Sequence, residues 1–170
     1  MLAKHERHSL RLKGYDYSQT GAYFVTIACD QHRCLFGSIQ DTQMQCNHLG
    51  KLIEQHWLSL PEHFPFIALD QYVVMPNHFH AILWLNPKHP HPNTETFGKP
   101  TKNSLPTIIR SFKAGVTRES RTQFANAELK IWQRNYWEKV IRDENELNHI
   151  RQYIQNNPLK WQLDKLYWAQ

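Results

Sequence analysis

Between Leu49 and Leu60 the apolar side chains keep helical spacing, and on either side the chain reverts to β-branched and aromatic runs. Leu49, Leu52, Ile53, His56, Trp57 and Leu60 fall on one face of a helix, with Asn47 placed to cap it and Pro61 to stop it. Before it, Gly21 to Cys29 (GAYFVTIAC) reads as a strand, and stretches near 35–39 and 44–46 read as a hairpin around Asp41-Thr42. After it come two strands, roughly Phe66 to Met75 and Asn77 to Leu85, divided near Pro76. A second helix follows a cap at Ser104 and carries Leu105, Ile108, Ile109, Phe112 and Val116 on one stripe. A short strand is expected near Tyr136 to Ile141. The last helix opens at Asp143, with Glu146 three residues on in the manner of a capping box, and runs through Leu147, Ile150 and Ile154 to Pro158. This order predicts an α+β fold with helices mainly on one face of an antiparallel sheet.

One domain over 1–170 is the expectation for this length. Residues 86–103, with four prolines and no periodicity, read as a flexible loop, and 1–12 as a short N-terminal extension. The polar N-terminus has no apolar segment of the signal-peptide kind, and the most apolar run is broken by Asp70, Asn77 and two histidines. Three cysteines, Cys29, Cys34 and Cys46, are odd in number and match no paired zinc spacing, so reduced thiols and a cytoplasmic location are expected. A formal charge of +5, with 11 histidines left out of it, favours an anionic partner over a neutral one.

The sharpest local feature is Met75-Pro76-Asn77-His78-Phe79-His80-Ala81-Ile82-Leu83. Side chains on a strand alternate between faces, so His78 and His80 share one face while Phe79, Ala81 and Leu83 point to the other. Two imidazoles placed so make half of a divalent-metal site, or simply two exposed histidines on the open face of a sheet. His89-Pro90-His91 has the same spacing, but its prolines deny it a fixed geometry. In the last helix Tyr153 and Asn157 lie ~40° apart on one flank, beside the apolar stripe. The phenol there is either a packed residue with one wet end or a reactive group.

His78-Phe79-His80 resembles the histidine–hydrophobic–histidine motif of the HUH endonucleases. Tyr153 and Asn157, on a helix after Trp132-Gln-Arg-Asn-Tyr-Trp-Glu138, resemble their single-tyrosine transposase branch. Most specifically the chain is similar to the REP-associated tyrosine transposases, from about Lys13 to Trp161. The resemblance implies a ferredoxin-like antiparallel sheet, the palm of the HUH nucleases, with the histidines on a central strand and the tyrosine helix lying across it. It implies Tyr153 as nucleophile, His78, His80 and Asn157 as ligands of Mg²⁺ or Mn²⁺, and Glu146 as a reserve ligand. The implied substrate is single-stranded DNA with hairpin or repetitive palindromic structure, cut and rejoined through a 5′-phosphotyrosine. A homodimer is left open, as is a catalytically silent DNA-binding protein that keeps the fold.

For the DNA surface, residues 99–134 hold eight Lys/Arg against two Glu. Arg110, Lys113 and Arg118 lie off the apolar stripe, and with Arg134 they are candidate phosphate contacts. Trp132, Tyr136 and Trp137 are candidate stacking aromatics or core residues of a strand. A zinc module and a histidine-triad phosphohydrolase fit less well, the latter because Ile82 stands where its next alternating histidine would be.

Overall fold

The structure is a computed structural model and describes residues 15–86 and 101–167. The expected N-terminal extension, nearly all of the expected 86–103 loop, and His89 and His91 lie outside the described residues. Among the described residues, six strands and four helices follow in order: β1 (Gly21–Ala28), β2 (Gly37–Gln40), β3 (Gln43–Cys46), α1 (His48–Leu58), α2 (Leu60–His63), β4 (Ile67–Val74), β5 (His78–Leu85), α3 (Leu105–Gln123), β6 (Trp137–Ile141) and α4 (Glu144–Asn156). The main sheet has the order β4-β5-β1-β6 with every neighbouring pair antiparallel, which is the ferredoxin-like arrangement. β2 and β3 form the separate expected hairpin.

Odd-numbered residues of β1 and β5 (Tyr23, Val25, Ile27; Phe79, Ala81, Leu83) build the larger core with α1 and α3, through Ile53, Trp57, Ile109 and Phe112. Asn47 caps α1, its side-chain oxygen accepting from Gly50 N at 3.0 Å. Gly50 itself allows a close approach, because a Cβ there would sit 2.3 Å from the Phe36 carbonyl oxygen. Ser104 precedes α3 as expected, but its hydroxyl turns back to donate to Thr101 O at 2.7 Å instead of capping. The helix also runs on to Gln123, about two turns beyond Val116, the last residue of its apolar stripe. Polar contacts to α1 support the extension: Glu119 accepts from His56 Nε2 at 2.8 Å, and Gln123 bonds to His48.

α4 lies on the opposite face of the sheet. Leu147, Ile150 and Ile154 pack there on Ile82, with Phe24, Val73 and Ile141 around them. Burial of each such aliphatic contributes ~1.5–3 kcal/mol at most. The expectation of helices on one face therefore holds for α1 and α3, and the tyrosine helix covers the other. Asp143 caps α4 by accepting from Glu146 N at 2.8 Å, while Glu146 Oε2 accepts from Arg142 N at 2.8 Å. Among the described residues no helix is long and apolar enough to cross a membrane.

Candidate active site

His78 and His80 project from β5, the second strand of four, and α4 with the following turn closes over them. The two imidazoles are 0% and 3% exposed, so the sheet face that holds them is not an open one. Their ring centroids lie 4.4 Å apart. Each ring is held through Nδ1. Asn77 Nδ2 donates to His32 O and Leu166 O, which leaves its Oδ1 to accept from His78 Nδ1 at 2.8 Å. That bond puts the proton on Nδ1 and a lone pair on Nε2. His80 Nδ1 bonds to Thr26 Oγ1 at 2.8 Å from the paired strand β1. Burial pushes His78 down to about 4, against the pull of the Asp164 carboxylate, and drives His80 well below its ordinary value. Both rings are therefore neutral near pH 7, the state a metal ligand needs.

Tyr153 reaches this pair from α4 and is 46% exposed. Its hydroxyl lies 3.3 Å from His80 Nε2, and its ring meets Phe24 edge-on. Partial burial and the nearby Asp164 carboxylate raise its pKa, so the phenol keeps its proton at neutral pH. Asn157, one turn on, is 2% exposed and donates from Nδ2 to Asp164 Oδ2 at 3.2 Å. Asp164 was missed in the sequence. It follows the turn Trp161–Leu163, and Leu166 N fixes its Oδ1 at 2.7 Å. Its Oδ2 stands 4.0 Å from His78 Nε2. Ligand atoms of His78, His80 and Asp164 all lie within 4.8 Å of one another, the one such group among the described residues. His78 Nε2 and Asn157 Oδ1 are buried with no hydrogen-bond partner among the described residues. Two orphaned acceptors beside a carboxylate suit a divalent cation. The phenol and the imidazoles meet within one chain, without help from a second copy.

No protein-family model matches the chain. It is 43% identical over 172 residues to an uncharacterized protein of Haemophilus influenzae, covering 96% of this chain and 94% of that one, and the two belong to one family. A second Haemophilus influenzae protein, provisionally assigned as a REP-associated tyrosine transposase, is 26% identical over 146 residues (85% of this chain, 74% of that one). Among solved structures, a REP-associated tyrosine transposase bound to a REP hairpin is similar with a TM-score of 0.55 at 19% identity, over 99% of this chain and 92% of that one. The chain shares its fold with that transposase. A Deinococcus radiodurans protein provisionally assigned as a transposase has the same fold at a TM-score of 0.52 and 16% identity, over 86% of this chain and 97% of that one.

α4 is pinned to the sheet by a bidentate ion pair. Arg151 Nε and Nη2 donate to the Asp70 carboxylate at 2.9 and 2.6 Å, and Trp84 Nε1 adds a third donor at 3.0 Å. Asp70 sits where the β4–β5 register shifts between Leu69 and Tyr72. The Arg151 guanidinium holds the Asp70 carboxyl down at about 2. Because that value lies below the ordinary one, the stabilisation is full above ~pH 4 and is lost as pH falls towards 2. Asp70→Asn is expected to lower the unfolding free energy by about 1–2 kcal/mol at pH 7, after discounting for the partly exposed Arg151. Denaturant titrations should show that difference shrinking between pH 4 and pH 2.

Glu146, the reserve ligand, belongs to the start of α4, where it pairs with Lys139 and accepts from Arg142 N; it is no part of the histidine cluster. Trp132 packs against Phe36 and Phe112, and Tyr136 is buried, so both are core aromatics; Trp137 alone of the three is exposed, at 40%. Arg110, Lys113, Arg118 and Arg134 line one cleft on the α3 side.

Proposed function

We propose that this chain cuts and rejoins single-stranded DNA by transesterification, with Tyr153 as nucleophile. The carrying observation is the Tyr153 hydroxyl 3.3 Å from His80 Nε2, beside His78, Asn157 and Asp164. His78 and His80 would hold Mg²⁺ or Mn²⁺ through Nε2, with Asp164 or Asn157 supplying an oxygen. The ion, when bound, supplies Lewis-acid polarisation of the scissile phosphate.

In the forward step the Tyr153 oxygen attacks phosphorus and the bond to the 3′ oxygen breaks. A 5′-phosphotyrosine and a free 3′-hydroxyl result. The phenol proton leaves through the exposed side of the ring, and the departing oxygen takes one from solvent. Attack by another 3′-hydroxyl reverses these changes and releases Tyr153, so no nucleotide cofactor is consumed. Neutral, buried His78 and His80 keep their positions because Asn77 and Thr26 fix their far nitrogens. Hairpin DNA as substrate is supported by the similar transposase bound to a REP hairpin. The test is a nicking assay on a hairpin-bearing single strand with Mg²⁺ or Mn²⁺. Metal-dependent nicks with protein covalently on the 5′ side support the reading. Binding without nicks would make the chain a silent DNA-binding relative.

A further inference from the structure

On the face of the sheet away from α4, α3 and residues 125–136 enclose a cleft of about 1110 Å³. Arg110, Lys113, Arg118, Arg121, Lys130 and Arg134 line it, and no Asp or Glu does. Glu119, the acidic residue of α3, is turned away to pair with His56 on α1. Two of the six cations are structural. Lys113 Nζ donates to Gln133 O at 2.6 Å and Arg134 O at 3.1 Å, and Arg121 Nε donates to Leu129 O at 3.1 Å. These bonds hold the outer wall of the cleft against the helix. The other four, Arg110, Arg118, Lys130 and Arg134, are exposed and make no side-chain hydrogen bond or ion pair among the described residues. The floor between them is apolar: Ala114 and Leu129 are accessible there, and Ile109 and Ile131, both buried, complete its lining.

We infer that this cleft is a binding site for an unpaired segment of the DNA strand, phosphates on the arginine rim and sugars and bases over the apolar floor. This rests on the DNA substrate proposed above and assigns it a second place on the protein. Arg110 to Arg121 span eleven residues of helix, or ~16 Å at 1.5 Å per residue, room for several consecutive phosphates of one strand. A paired stem offers its phosphates on a convex surface and gains nothing from an apolar floor, whereas single strands use such floors.

The cleft and the candidate active site share one end of the sheet. Gln133, in the cleft wall, donates from its backbone to Ala28 O at 2.9 Å, and Ala28 pairs in register with His78. Its side chain bonds to His32 Nε2 at 2.9 Å, and His32 O accepts from Asn77, the residue that orients His78. DNA held in the cleft thus has a short path around the end of β1 to Tyr153.

The test replaces three unpartnered arginines together (Arg110→Gln, Arg118→Gln and Arg134→Gln) and measures anisotropy of a fluorescein-labelled, mixed-sequence single strand from ~50 to ~200 mM salt. Because these side chains hold nothing else, the thermal midpoint should stay at the wild-type value. Binding should weaken at least ~10-fold at the lower salt, and the slope of log K against log salt should flatten by about 2, at ~0.7 per lost phosphate contact. A second arm uses a blunt hairpin stem without tails, for which the loss should be much smaller. Unchanged affinity and slope for the single strand overturns the inference, as does an equal or larger loss for the blunt stem. The variant Tyr153→Phe separates the two proposals: it should bind the single strand with the wild-type salt slope. If wild-type protein forms no covalent adduct yet the arginine variant loses binding, the cleft stands and the catalytic reading fails.

Discussion

Replacing Tyr153 by Phe is expected to abolish strand cleavage and every covalent protein–DNA adduct while leaving the fold intact. The ring already packs edge-on against Phe24 and beside His80, and a phenylalanine fills the same volume. The hydroxyl lies 3.3 Å from His80 Nε2, a contact that a bound cation would displace, and losing it should cost about 0.5–1.5 kcal/mol of stability. Catalysis has no such tolerance. Without the oxygen there is nothing to take the phosphoryl group, and the covalent route closes. Denaturing gels of protein incubated with labelled single-stranded DNA check this: the shifted band should vanish in the variant, while native-gel binding stays within a factor of two or so of wild type.

The second large effect is expected from the metal ligands. Chelation should stop cleavage, and added Mn²⁺ should restore it. His78→Gln should prevent that restoration. The glutamine keeps the site filled and polar but removes the Nε2 lone pair now aimed without a partner into the cluster. Changes merely next to a metal ligand cost ~10–100-fold in affinity, and loss of a ligand should cost more. Mn²⁺ binding read from the free-ion electron paramagnetic resonance signal reports this without DNA or turnover. The same measurement ranks the two oxygen donors. Asp164→Asn removes the charge opposite His78 and should weaken Mn²⁺ more than Asn157→Ala does, because the carboxylate lies within the ligand cluster and the amide donates to it. The reverse ranking would return the third-ligand role to Asn157.

Much of this was legible in the sequence wherever one periodicity was uninterrupted. The alternation across His78 to Leu83 fixed which side chains share a face, and β5 displays them so. The stripe from Leu49 to Leu60 located α1, and Asp143 with Glu146 marked the start of α4. What local spacing did not show, and only the resemblance implied, was that α4 lies across the sheet over the histidine strand. Its three aliphatic residues pack on Ile82 and enclose the histidines, and that is a tertiary choice invisible to local spacing. Asp164 was hidden for a related reason: it lies after Pro158 in a stretch without period, and only folding back returns it to β5. One signal was present, since Asp164 is the sole carboxylate side chain after Glu146. Thr26 had a similar signal as the lone aliphatic hydroxyl in β1, and its register opposite His80 made it an orienting group. Of the candidate phosphate contacts, Lys113 is a strut between α3 and the 133–134 backbone, with burial pushing its ammonium down to about 8.

The most direct test of the central assignment is mass spectrometry of the wild-type protein after reaction with a single-stranded hairpin substrate and Mn²⁺, nuclease trimming and proteolysis. A nucleotide-sized mass should map to the α4 peptide at Tyr153, attached through its 5′ phosphate. An adduct on any other side chain, or cleaved DNA with Tyr153 unmodified throughout the reaction, would contradict the account.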